Sequence, residues 1–396
     1  MADVQIVRGD GVMPSRSWLQ EMLSGGKNGV PLIDIGTSSL TGIRAGAIPG
    51  LQKDNALAHP LFNTIPLEPA DCISLGSDFI RAGLLYAPRE MEDEHFIDAL
   101  GVTWLREGEN SAPIGHPLET AAPADITRHP RPRWLQPVQQ AVPESTGNSL
   151  VIADAPCPGL LDMCFMLRNT WQFMEDIADN RRAASVLLEW SLETIISAYE
   201  YLLASLDRQP DIIVYSDDLG YRDGMFLSPR DFRNHVRPRM SALLTHLGNI
   251  TSAAVCFHSC GAISPILPDI LDLGVGMVNL DTSAKGMNVL RLRRELPGFV
   301  ILHGSNDLCA LGRAVLQGDK AGIASLIAEL AQSAPVIAGP RDNMSSAGEV
   351  LAAARGAAFI RNISCGGFED LRRLGPVRSI IEEAVEKTLW EKLPSL

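Results

Sequence analysis

At 396 residues the chain exceeds one ordinary domain and fits either two domains or one large α/β barrel with extensions. Hydrophobic residues make up 46% and charged residues only 20%, which excludes a disordered chain and supports a large buried core. Lys+Arg 34 against Asp+Glu 47 leave a formal charge of −13, which argues against a nucleic-acid partner.

The cysteines are odd in number and scattered, which is no disulfide framework and points to a reducing compartment. The first residues carry no apolar signal segment, and no stretch approaches the roughly 20 apolar residues that span a bilayer. The expectation is a cytoplasmic protein with no membrane partner.

In chain order, SWLQEML is helical and stops at the glycines of SGGKNG, and PLIDIG (31–36) is a buried strand. Residues 86–148 are rich in Pro and Gly with little periodicity, and are expected to be an irregular insertion near the barrel mouth. From residue 149 strands and helices alternate. SLVIADAPCPG, DIIVYSDDLG, SAAVCFHSCG, GMVNLDTS and FVILHGSND read as strands. The helices between them include a long region from FMLRNTWQFMEDIADN through ASVLLEWSLETIISAYEYLLASL. Repeated βα units imply a parallel sheet, and their number favours a (β/α)₈ TIM barrel over a doubly wound sheet. The chain is read as a single barrel domain over 1–396, with an N-terminal extension at 1–30.

Barrel chemistry sits where strands end and βα loops begin. IADAPCPG, VYSDDLGYRDG, CFHSCG and LHGSND all change there from apolar to polar, which argues for one composite site. In CFHSCG, alternation places Cys256, His258 and Cys260 on one strand face, with Val255 and Phe257 on the other. Imidazole nitrogen and thiolate sulfur suit Zn²⁺, but a catalytic zinc needs a third protein ligand. Cys365, in the strand-like AAFIRNISCGG, is one source. Cys309, at a helix start, and a carboxylate are others. Of the adjacent Asp217 and Asp218, only one should face the site as general base, ligand or charge partner, while the other orders the loop. LSPRDF is a helix start with Ser228 as N-cap and Pro229 at the first helical position, and His116 belongs to a turn. The absence of Walker A, G-x-G-x-x-G and G-x-S-x-G sequences weakens ATP-dependent, nicotinamide-dependent and serine-hydrolase readings.

The blocks EDEHFIDALGVTWLREGENSAPIGHPLETA, LRNTWQFMEDIADN, YSDDLGYRDGMFLSPRDFRNHVRPRM, FHSCGAISPILPDILDLGVGMVNLD and AKGMNVLRLRREL resemble the uroporphyrinogen decarboxylase-like superfamily, over roughly residues 70–310. They are most similar to its corrinoid-linked methyltransferase branch. The resemblance implies a (β/α)₈ barrel with a zinc held by an H-x-C pair, here His258 and Cys260, and by a later cysteine. The family's spacing points to VIAGPRDN, which has none, whereas NISCGGFED offers Cys365. The arginine-rich M-R-Q-A-G-R segment of true uroporphyrinogen decarboxylases is replaced by IDIGTSSLTGIRAG, and a D-x-H-x-x-G corrinoid motif is absent. A corrinoid would therefore arrive free or on a partner protein.

The leading reading is a zinc-dependent methyltransferase moving a methyl group between a small donor, a corrinoid and a thiol. Its metal ligands are His258, Cys260 and Cys365, and Asp217 or Asp218 orients substrate or handles a proton. The alternatives are a metal-independent decarboxylase or lyase acting on a small carboxylated substrate, and a non-catalytic binding barrel or complex subunit. The assembly is left open, with a homodimer as one candidate.

Overall fold

Short apolar runs recur along the chain because each must be buried on both faces of a parallel sheet. The computed structural model describes residues 16–26, 31–48, 63–85, 88–107, 110–132, 149–179 and 181–362. Eight of these runs form one parallel sheet: Leu32–Ile33 (β1), Phe79–Ala82 (β2), Leu150–Ala153 (β3), Ile212–Ser216 (β4), Ala254–Ser259 (β5), Met277–Leu280 (β6), Ile301–Asp307 (β7) and Val336–Gly339 (β8). From β2 to β8 each strand pairs with the next in chain order, and β8 pairs with β1. This is the expected (β/α)₈ barrel.

The seam between β1 and β2 is closed by a side chain. Asp78 accepts from the Ile33 amide at 2.8 Å, and its own amide donates to the Ile33 carbonyl at 2.8 Å. Its other carboxylate oxygen accepts from Arg361 at 2.9 Å, tying the last described helix to the seam.

Alternation sorts each strand between two cores. Leu32, Phe79, Ile152, Cys256, Met277 and Ile301 point inward and pack on one another. Leu19 and Met22 of the helix Arg16–Leu23 join that cluster and plug the barrel at the strands' N-terminal ends. Residues of opposite parity, such as Ile33, Phe257, Val278 and Leu302, pack outward in the larger core with the surrounding helices. There, the helices Leu308–Gln317 and Ala347–Asn362 approach so closely that a Cβ at Gly312 would collide with the Ala352 carbonyl. No helix among the described residues is long and apolar enough to cross a membrane.

The structure corrects the sequence reading in three places. AAFIRN is not strand-like: it ends the helix Ala347–Asn362, an alanine-rich segment of high helix propensity, and the eighth strand is Val336–Gly339. Cys365 itself lies outside the described residues. The long helical region divides into Leu160–Arg168, Thr170–Ala178 and Arg182–Ala204. The first break is at Asn169, whose φ is +71° and whose side chain caps the Trp171 amide.

The 86–148 segment is less irregular than its Pro and Gly content indicates. Arg89–Glu90, His95–Ile97, Thr103–Glu107 and Asn110–Gly115 form a four-stranded antiparallel sheet, followed by a helix at Pro123–Arg128. Asp98 organises its central turn by accepting from the amides of Leu100 and Val102 and from Trp104 Nε1. The segment docks on the helices that follow β3. His116 donates to the Met166 carbonyl at 2.8 Å, the Leu118 amide to the Leu167 carbonyl at 2.8 Å, and Trp190 Nε1 to the His129 carbonyl at 3.2 Å.

If Asp78 closes the barrel, Asp78→Ala should cost roughly 1–3 kcal/mol by leaving the buried Ile33 amide without an acceptor. Urea unfolding checks this: the midpoint should fall while the slope stays constant. A wild-type midpoint would show that the seam does not depend on the carboxylate.

Candidate metal centre at the barrel mouth

The inward positions change character two residues beyond the apolar floor. Leu32, Phe79, Ile152, Cys256, Met277 and Ile301 are succeeded on the same face by Asp34, Arg81, Asp154, His258, Asn279 and His303. Parallel register aligns them: His258 lies directly beside Asn279, and Met277 pairs with Ile301 just below Asn279 and His303.

This polar layer is bonded into two groups. Arg81 Nε donates to Asp154 at 3.2 Å, and Asp154 also accepts from the amide and hydroxyl of Ser39, both at 2.9 Å. The second group runs from β5 to the end of β1. His258 Nδ1 meets Asn279 Oδ1 at 2.7 Å, Asn279 Nδ2 meets His303 Nδ1 at 3.0 Å, and His303 Nε2 meets Asp34 Oδ2 at 2.8 Å. Thr37 and Thr41 donate to the Asp34 carboxylate as well.

Above this layer, Asp218, His258 and Cys260 bring an oxygen, a nitrogen and a sulfur within 4.8 Å of one another. His258 Nε2 lies 3.5 Å from Cys260 Sγ and 3.6 Å from Asp218 Oδ1, and the same carboxylate oxygen accepts from the Cys260 amide at 2.7 Å. Ligands around a tetrahedral zinc, at bond lengths of about 2.0–2.3 Å, are separated by about 3.3–3.8 Å. The two nitrogen-centred spacings therefore fit one ion. Gly261 holds the loop in place. Its φ is +85°, and a Cβ there would strike Gly220, which begins the hairpin packed beside the site.

The electrostatics also favour a cation. Burial, then the adjacent Asp218 carboxylate, push the Cys260 thiol well above its ordinary range, with Asp281 and Asp162 adding to the effect. Burial and then Asp218 and Asp217 likewise raise Asp162, which accepts from the Asp218 amide at 3.0 Å. A divalent ion would reverse this logic and favour the thiolate.

The two aspartates divide as alternation requires. Asp218 reaches the cluster, whereas Asp217 is fully buried. Asp217 accepts from the Leu161 and Asp162 amides at 2.9 and 3.1 Å and from the Tyr215 hydroxyl at 2.9 Å, so it caps the helix Leu160–Arg168. Cys256 belongs to the apolar floor. Cys309 is buried and turned toward the helix Ala347–Asn362, where its thiol donates to the Glu349 carbonyl. Ser228 caps its helix by accepting from the Asp231 amide at 3.1 Å.

The uroporphyrinogen decarboxylase (URO-D) family model matches residues 116–334, more than half of the chain. The chain belongs to the URO-D family. Among solved structures, a methyltransferase from Methanosarcina mazei superposes with a TM-score of 0.57 at 17% identity, covering 87% of this chain and 98% of that one. At that identity the likeness establishes the shared barrel. No curated relative matches the chain.

The matched URO-D span contains Asp218, His258, Cys260, Asn279 and His303. Sequence inspection singled out the first three of these and missed Asn279, His303, Asp34, Arg81 and Asp154. The signal was available in LIDIG, FIRAG, IAD, MVN and ILH: each places a polar residue two positions after an inward apolar one, the step already applied to CFHSCG.

Burial pushes the Asp217 carboxyl up to about 7 despite its three hydrogen bonds. Since an unfolded aspartate ionises near pH 4, the group costs no stability below that pH and an increasing amount as pH rises to about 7. Asp217→Asn removes that ionisation and keeps an oxygen facing the two amides. Its Tm should therefore fall less than the wild-type Tm between about pH 4 and pH 7. Parallel Tm curves would show that Asp217 has no raised value.

Proposed function

We propose that the chain is an enzyme of methyl transfer, using a zinc ion held by Asp218, His258 and Cys260. The observation that carries this reading is the meeting of one carboxylate, one imidazole and one thiol at the end of a barrel, with spacings suited to a single tetrahedral ion. Three protein ligands leave a fourth position for substrate, as catalytic zinc requires. Zinc would supply there a lowered thiol pKa, keeping an acceptor thiol as the nucleophilic thiolate at neutral pH. The acceptor sulfur then forms a bond to the methyl carbon while the donor keeps the electron pair of the bond that breaks. The barrel fold shared with a methyltransferase supports this reading, and a corrinoid, free or carried by a partner protein, is the proposed methyl carrier.

The chain's own residues set the stage for that reaction. Asp218 is held at its main chain by Asp162 and at its carboxylate by the Cys260 amide, so the carboxylate cannot swing away from His258 without giving up the Cys260 bond. Asp217 acts below it, holding the N-terminus of Leu160–Arg168 against β4.

Membership of the URO-D family favours a second reading, decarboxylation of a small carboxylated substrate without metal, with Asp218 and His258 polarising it. Arg81, the inward arginine of β2, is bound to Asp154.

Metal analysis and turnover separate the two. Purified protein should hold one zinc per chain, and His258→Ala and Cys260→Ala should lose it along with methyl transfer from methylcobalamin to a thiol, while remaining folded. Asp218→Asn should weaken zinc retention about 10-fold or more, since the amide lacks the carboxylate's charge. Full methyl transfer in zinc-free protein would overturn the zinc reading. Carbon dioxide release by that zinc-free protein from a small carboxylic acid would favour the lyase.

A further inference from the structure

The contacts of Asn279 decide where the His258 proton resides. One end of the Asn279 amide lies 3.1 Å from the His303 main-chain carbonyl. A carbonyl oxygen only accepts, so that end is the NH₂ group. The other end is therefore the amide oxygen, 2.7 Å from His258 Nδ1. An amide oxygen also only accepts, so Nδ1 must carry hydrogen. A neutral imidazole has one ring proton, which leaves His258 Nε2 bare. That bare nitrogen is the one facing Cys260 Sγ at 3.5 Å and Asp218 Oδ1 at 3.6 Å.

The same logic continues across the barrel. Asn279 Nδ2 also faces His303 Nδ1 at 3.0 Å, so that nitrogen accepts and the His303 proton resides on Nε2. His303 Nε2 then donates to Asp34 at 2.8 Å, and the Thr37 and Thr41 hydroxyls hold the carboxylate from β1's loop. His303 and Asp34 are almost wholly buried, at 2% and 0% exposure, so neither can exchange these partners for water.

We propose that Asn279 is a positioning residue that holds His258 as the Nδ1–H tautomer, with the His303–Asp34 pair fixing the orientation of the Asn279 amide. The role for metal binding rests on the zinc reading above, whereas the tautomer itself belongs to the metal-free chain. In water a neutral imidazole favours the opposite tautomer, with hydrogen on Nε2, which would block the ligand atom. Asn279 thus removes a competing state before any ion arrives, and it also fixes the ring's rotation.

Two readouts test this. In metal-free protein labelled with ¹⁵N-histidine, long-range nitrogen–proton correlation reports which ring nitrogen is protonated, and the His258 signal is the one lost in His258→Gln. Wild type should show hydrogen on Nδ1. Asn279→Leu, which leaves no acceptor beside Nδ1, should move it to Nε2. Chelator competition should show Zn²⁺ affinity about 10–100-fold weaker in Asn279→Leu, together with the change of tautomer that a packing role alone would not produce. Hydrogen on His258 Nε2 in wild-type metal-free protein overturns the proposal, whether or not the variants fold. Unchanged zinc affinity and tautomer in folded Asn279→Leu overturn it as well. A wild-type chain that holds the Nδ1–H tautomer yet takes up no zinc supports the positioning role and refutes only the metal reading.

Discussion

Closure of the sheet is the constraint on which the site depends. Once eight strands close, alternate residues of each must share one narrow interior, and position along the strand becomes depth in the barrel. Leu32, Phe79, Cys256, Met277 and Ile301 can then form a dry floor, while Asp34, Arg81, His258, Asn279 and His303 stand one layer higher. Pairing of β1 with β8, and of β8 with β7, sets Asp34 beside His303, while Asp78 bridges β1 to β2 on the other side.

Placing acids and a thiol on that layer has an energetic consequence. Asp162, Asp217, Asp218 and Asp281 crowd the Cys260 side, and burial raises the carboxyls of Asp162 and Asp217 as well as the Cys260 thiol. Protein hydrogen bonds meet part of the cost: Asp217 uses backbone amides and Tyr215, and Asp218 uses the Cys260 amide. Arg81, which could have offset the charge, is committed to Asp154 on the β2–β3 side. A divalent ion bound at Asp218, His258 and Cys260 would supply what remains, converting mutual repulsion into shared coordination.

Much of this was legible locally. DIIVYSDDLG and CFHSCG carry both the strand period and its polar end, so the barrel, the inward parity of His258 and Cys260, and the split between Asp217 and Asp218 follow from short windows. Two kinds of feature did not. AAFIRN has β-branched and aromatic character at its centre, and only the alanines before it and the close seat of Gly312 on Ala352 determine a helix. The chain from Asp34 to His258 was invisible for another reason. Asp34 and His303 are 269 positions apart, and no local pattern announces a contact that only barrel closure creates. The sheet at 89–115 lies between these cases: Phe96 and Trp104 do alternate inward, but the strands are short and their turns dominate the composition.

The central claim is that Asp218, His258 and Cys260 hold one zinc, with the carboxylate in the place where a second cysteine would otherwise serve. Zinc K-edge X-ray absorption on the purified full-length chain tests it most directly, because sulfur and oxygen or nitrogen neighbours differ in both scattering and distance. The account predicts one sulfur at about 2.3 Å, with the remaining ligands being nitrogen and oxygen at about 2.0–2.2 Å. Two sulfurs per zinc, lost to one in Cys365→Ala, would contradict it by giving the third position to Cys365 instead of Asp218.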